Sequence, residues 1–173
     1  MATIQELEEI LKTAIAVEVN GRDTFTLLAH KTQNKNGKKM FEQLAKDEKE
    51  HQTILEQQLE HVSKNGTWKE IHIPASKVQS LVPKVREKQI KTKGEAKLGE
   101  IDALNTALDL ERKTAQFFRD QAEVVDDTQA KDMFLRLAEW EDSHFDLIQA
   151  QLDSVKNTGM WFGVASFRMD GQY

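Results

Sequence analysis

Two stretches of this chain carry a carboxylate and an imidazole three residues apart, Glu48-x-x-His51 and Glu141-x-x-His144, each shortly after a Leu-Ala pair (Leu44-Ala45 and Leu137-Ala138). On a helix this spacing sets both groups on one face, a turn apart, where they can serve one metal ion. A lone Glu-x-x-His is a weak signal. The offset of 93 residues between the copies says more, because the same shift lays Glu18 on Glu111, Phe25 on Phe118 and Met40-Phe41 on Met133-Phe134. It also lays Leu59 on Leu152, Gly66 on Gly159 and Trp68 on Trp161. Residues 14–68 placed on 107–161 without a gap agree at 16 of 55 positions. The chain is an internal duplication, and the repeat is the unit to read.

Each repeat therefore offers one acid, then an acid and a histidine: Glu18, Glu48 and His51 in the first, Glu111, Glu141 and His144 in the second. All six interrupt apolar stripes that face a core. Taken singly, each acid reads as solvated charge and each histidine as a surface or satisfied core residue. Taken together they are four carboxylates in an interior that admits ionised acids only when paired or bound to metal. Left alone they would repel one another and take up protons. Two divalent cations balance four negative charges. Oxygen-rich ligation with one imidazole per ion favours iron, or manganese, over zinc. By pseudo-symmetry Glu48 and Glu141 bridge the ions, Glu18 and His51 complete one, and Glu111 and His144 complete the other. The repeats differ beside the ligands, where Asp47 precedes Glu48 but Trp140 precedes Glu141. Asp47 is expected to orient the His144 imidazole, as outer carboxylates commonly do. His30, His61 and His72 have no counterpart in the other repeat and are read as bystanders.

The elements that position these residues are four long helices. Thr3 with Glu6 forms a capping-box pattern, and apolar residues recur at helical spacing from Ile4 to about Lys31. Gly21 inside this run weakens a helix by about 1 kcal/mol, so a packing reason is expected there. Asn34 to Gly37 reads as a turn, and a second helix is predicted from near Lys38 to Asn65, with Gly66 as its left-handed cap and Trp68 folding back. A third is predicted from about Gly99 to Val125 and a fourth from about Gln129 to Lys156, with Gly159 as its cap. The expectation is an all-α four-helix bundle forming a single domain over 1–173: repeat one about 4–66, a crossover about 67–98, repeat two about 99–159 and an apolar tail 160–173. The crossover holds both prolines, Pro74 and Pro83, and is too long for a tight hairpin. It would make helices two and three parallel neighbours.

Composition removes other classes. The 173 residues contain no cysteine, which excludes disulfides, thiolate chemistry, iron–sulfur clusters and cysteine-based zinc sites within them. A net charge of −5 argues against a nucleic-acid surface, and the lysine run from Lys84 to Lys97 reads as a solvated face. No apolar run is long enough for a membrane span, and the polar, acidic start has no signal-peptide character, so a cytoplasmic protein is expected. The apolar tail suggests packing over a bundle end or association, with a homodimer expected.

The pattern Glu18 … Glu48-x-x-His51 … Glu111 … Glu141-x-x-His144, over about residues 4–157, resembles the ferritin-like superfamily of di-iron carboxylate proteins, most closely its rubrerythrin-like branch. The ending Gly159-Met160-Trp161-Phe162 is similar to small proteins of that branch. The resemblance implies two iron ions and an oxidoreductase that reduces hydrogen peroxide or oxygen, often in defence against oxidative stress. Two departures stand out. Rubrerythrins proper carry a cysteine-ligated rubredoxin domain, so here the electrons must come from an external donor such as a rubredoxin-like protein. They also carry a further Glu one turn after the third-helix ligand, where this chain has Thr114. That departure keeps open a ferroxidase, an iron-handling protein that oxidises and binds Fe²⁺ without efficient peroxide turnover. A third reading is a structural bundle whose metals only hold helices together.

Overall fold

The computed structural model describes residues 3–70, 73 and 98–163. Four helices make up nearly all of it: α1 (Ile4–Lys31), α2 (Lys35–Asn65), α3 (Leu98–Val124) and α4 (Thr128–Thr158). The ends are set by local chemistry. Thr3 and Glu6 close a reciprocal capping box on α1. Asp127 caps α4 by accepting from the backbone N–H groups of Gln129 and Ala130. Gly66 and Gly159 take left-handed conformations, φ 69° in both, and stop α2 and α4. The α2 start differs from expectation. The Asn34 side chain accepts from the N–H groups of Asn36 and Gly37, so the stretch read as a turn is the first turn of the helix. Residues 71–72 and 74–97 of the crossover, with His72, both prolines and the lysine run, lie outside the described residues, as does the tail beyond Gly163.

The helices pair as two hairpins, α1 with α2 and α3 with α4, as two repeats of one unit require. Their apolar faces form two separate clusters. One gathers Phe25, Met40, Phe41, Leu104, Ile148 and Trp161, and the other Leu11, Leu55, Trp68, Phe118, Phe134 and Leu137. Each cluster holds an aromatic trio built across the repeats. Phe25 stacks on Phe41 with centroids 6.3 Å apart, and Trp161 of the second repeat stands edge-on to Phe41 at 6.2 Å. Phe118 stacks on Phe134 at 6.2 Å, and Trp68 of the first repeat stands edge-on to Phe134 at 6.0 Å. Such pairs contribute about 0.5–1.5 kcal/mol each beyond the area they bury. They lock one hairpin to the other.

Each tryptophan is held by a buried glutamine one repeat apart. Gln151 donates to the carbonyl of Phe162 and accepts from its N–H, both at 3.2 Å. Gln58, with its amide turned end for end, makes the same pair of bonds with Lys69 at 3.2 and 3.0 Å. The segment after each helix cap is thereby tied down over the bundle as a short strap.

Gly37 makes room for one strap. A Cβ there would come within 2.7 Å of Trp161 Cζ3 and 2.8 Å of Thr32 Cγ2. Gly37→Ala is therefore expected to destabilise the fold by about 1–3 kcal/mol despite alanine's better helix propensity. Gly99→Ala, whose Cβ meets nothing within 4 Å, is expected to be neutral or stabilising. At about 2–4 °C per kcal/mol for a chain of this size, thermal melts separate the two. A Gly37→Ala melt at or above that of the unsubstituted protein contradicts this packing.

Candidate metal centre

Between the two apolar clusters lies a polar layer. Glu18 enters it from α1, Glu48 and His51 from α2, Glu111 from α3, and Glu141 and His144 from α4. Each sits mid-helix on a face otherwise occupied by core residues, and all six are 0–1% exposed. All six positions singled out from the repeat thus converge.

They converge as two overlapping groups. Ligand-type atoms of Glu18, Glu48, His51 and Glu141 lie within 4.8 Å of one another, and so do those of Glu48, Glu111, Glu141 and His144. Glu48 and Glu141 belong to both. His51 turns Nδ1 into the layer, 3.4 Å from Glu18 Oε2, 3.8 Å from Glu48 Oε2 and 3.0 Å from Glu141 Oε1. His144 does the same, its Nδ1 lying 3.4 Å from Glu48 Oε1, 3.3 Å from Glu111 Oε1 and 3.4 Å from Glu141 Oε2. These separations suit neighbouring ligands of one ion, since bonds of about 2.0–2.2 Å at right angles set ligand atoms roughly 3 Å apart. Among the described residues, nine of the eleven buried side-chain polar atoms without a hydrogen-bond partner belong to these six residues. Buried groups of this kind are otherwise nearly always satisfied. A donor set of carboxylates plus one imidazole per group, with its lone pairs converging, is compatible with a di-metal site.

The electrostatics agree. Burial, then the neighbouring charge of Glu48, pushes the Glu18 carboxyl well above the usual range. Burial and the charges of Glu141 and Glu48 do the same to Glu111, with His144 opposing. Burial would also raise Glu141, but His51 and His144 on either side hold it below the usual range. For both histidines burial works against the charged form and is outweighed. Glu111, Asp47 and Glu141 hold His144 well above its ordinary value, and Glu141 with Glu48 raises His51.

Four surrounding residues bear on the layer. Asp47 meets the role expected of it: its Oδ2 lies 3.2 Å from His144 Nε2, and its Oδ1 accepts from Gln43 Nε2 at 2.8 Å. Gly21 has the packing reason its position calls for, because a Cβ there would lie 3.1 Å from Glu48 Oε2, so α1 runs close beneath that carboxylate. The residue one repeat later is Thr114, buried at 5% exposure. Trp140 was not foreseen as part of the site. Its ring packs at 68° to that of His51, with centroids 4.8 Å apart. Its place one residue before Glu141, where the other repeat has Asp47, was the available signal.

Comparison with known proteins gives a consistent picture. The rubrerythrin family model matches residues 9–152. A hypothetical protein from Pyrococcus furiosus shares the fold, with a TM-score of 0.62 at 22% identity, covering 91% of this chain and 98% of the other. No curated protein matches.

The raised carboxylates and imidazoles fix a sign for the metal-free protein. Glu18 and Glu111 hold protons in the fold that the unfolded chain loses near pH 4.3, and the histidines hold theirs above about pH 6.5. Wherever the folded state binds more protons, stability falls as pH rises. The depressed Glu141 works the other way, but only in acid below about pH 4.3. Chelator-treated protein is therefore expected to melt at higher temperature at pH 6 than at pH 8. A divalent metal, which needs the ligands deprotonated, should raise the melting temperature more at pH 8. Circular-dichroism melts check both, and a metal-free melt that rises from pH 6 to pH 8 contradicts the assignment.

Proposed function

Since the chain belongs to the rubrerythrin family, we propose that it is a di-iron oxidoreductase that reduces hydrogen peroxide or oxygen with electrons from an external donor. The observation that supports this most is the pair of overlapping buried clusters sharing Glu48 and Glu141. In this reading Glu48 and Glu141, common to both groups, would be shared by the two ions, Glu18 and His51 would hold one, and Glu111 and His144 the other. Two redox-active ions held side by side supply the paired electrons that cleave or reduce an O–O bond. The remaining work is the scaffold's own. The four acids supply the negative charge, the imidazoles present Nδ1, and the flanking aromatic clusters keep bulk water away.

A groove of about 490 Å³ between α1 and α3 is lined by Val17, Leu110, Thr114 and Phe117. Val17 adjoins Glu18, and Thr114 lies one turn beyond Glu111. Most of its surface is apolar, with Thr13, Asn20 and Lys113 also on its lining, and we take it as the approach for a small uncharged oxidant. With no cysteine in the 173 residues, the donor centre lies outside them, and a rubredoxin-like protein fits that role.

The buried Thr114 supports the second reading, a ferroxidase that oxidises and keeps Fe²⁺ without sustained peroxide turnover, because it adds no seventh ligand.

Anaerobically loaded protein given a rubredoxin, its reductase and peroxide should consume peroxide over many turnovers. A single stoichiometric oxidation instead selects the ferroxidase reading. Iron content separates the ligand roles. Glu141→Ala, which removes a residue common to both clusters, is expected to lose both ions, and Glu18→Ala only about one of two. Full iron content in Glu141→Ala contradicts the bridging assignment.

A further inference from the structure

The two halves of the polar layer differ at Gly21 and Thr114 and, more directly for the ligands, beside the histidines. On the α4 side, His144 Nε2 meets a buried carboxylate, Asp47 Oδ2, at 3.2 Å. The same carboxylate is steadied through Oδ1 by Gln43. With a carboxylate on Nε2, that nitrogen carries a proton, and Nδ1, turned toward Glu48, Glu111 and Glu141, is the nitrogen left to give up its proton to a metal ion. A carboxylate on the far nitrogen also makes the near one a better donor to metal.

On the α2 side the same position of the other repeat is Trp140. Its ring packs edge-on against His51, and an indole offers no acceptor atom. Among the described residues His51 Nε2 has no hydrogen-bond partner, and it is fully buried. Among the described residues no acceptor holds a proton on Nε2 of His51 or strengthens its Nδ1 as a donor. An apolar neighbour also makes it harder for the His51 position to hold a doubly charged ion than for a position backed by a carboxylate.

We propose that the two metal positions are unequal by design: the Glu111–His144 position fills first and holds its ion tightly, the Glu18–His51 position is the exchangeable one, and Asp47 is the positioning residue that creates the difference. This rests on the di-metal reading and deepens it. One ion would stay with the protein as a fixed part of the bundle. The other would come and go beside Trp140, so the loaded state of the centre follows the supply of metal. A carboxylate hydrogen-bonded to a ligand's far nitrogen is worth about 10–100-fold in metal affinity, so the two dissociation constants are expected to differ by that factor.

The test is anaerobic calorimetry with Fe²⁺ as the probe, on the full chain and on three variants, each first checked by circular dichroism for an intact helical fold. The unsubstituted protein should bind two ions in two steps separated by about 10–100-fold. Asp47→Asn keeps an acceptor of the same shape but removes its charge. It should weaken the tight step by that factor and leave the weak step in place, so that the two merge. Glu18→Ala should retain only the tight step and Glu111→Ala only the weak one. That assignment separates a built-in difference from mere repulsion between two equal ions, in which case either variant would keep a tight step. Two ions bound with equal affinity overturn the proposal while leaving the di-metal reading standing, and so does an Asp47→Asn protein with both steps unchanged. No Fe²⁺ bound by folded protein overturns both.

Discussion

The structure depends on holding four carboxylates together where water cannot reach them. Bringing one ion out of water costs several kcal/mol even after the surroundings relax. Like charges about 4 Å apart repel by about 4 kcal/mol at an effective dielectric constant of about 20. No local propensity of these helices offsets such terms. The carboxyls must take up protons or share cations, and burial and neighbouring charge, which raise Glu18 and Glu111, favour the first course when no cation is bound. The bundle has to be rigid enough to keep the cluster from spreading.

That rigidity comes from the two apolar clusters on either side. Trp68 reaches Phe134 of the second repeat and Trp161 reaches Phe41 of the first, so each repeat closes over the other. The glutamine clamps at Gln58 and Gln151 fix the straps that carry the two indoles. Helices of this length are set by packing more than by propensity. The polar layer sits where packing from both sides meets, and Gly21 lets α1 approach Glu48 closely.

Much of this was legible in the residues. The duplication identified all six members of the polar layer, because a second copy of the pattern turned ordinary acids and histidines into a set. The capping glycines and the Thr3–Glu6 box marked helix ends where they are found. The start of α2 was missed because Asn34 and Gly37 suit a turn and a helix N-terminus equally, and only the hydrogen bonds to Asn34 decide. The Gln58 and Gln151 clamps and the Trp140–His51 contact depend on side chains meeting at long range. Periodicity cannot report that, although the glutamines fall on the repeat offset. The rubrerythrin family match covers the same helices that the repeat delineates.

Anomalous X-ray diffraction at the iron edge, on crystals of the iron-loaded protein, addresses the central claim most directly. Two peaks about 3.5–4 Å apart, both within the layer bounded by Glu48 and Glu141, are the expected result. A single peak, or iron bound elsewhere on the surface with the layer empty, would contradict it.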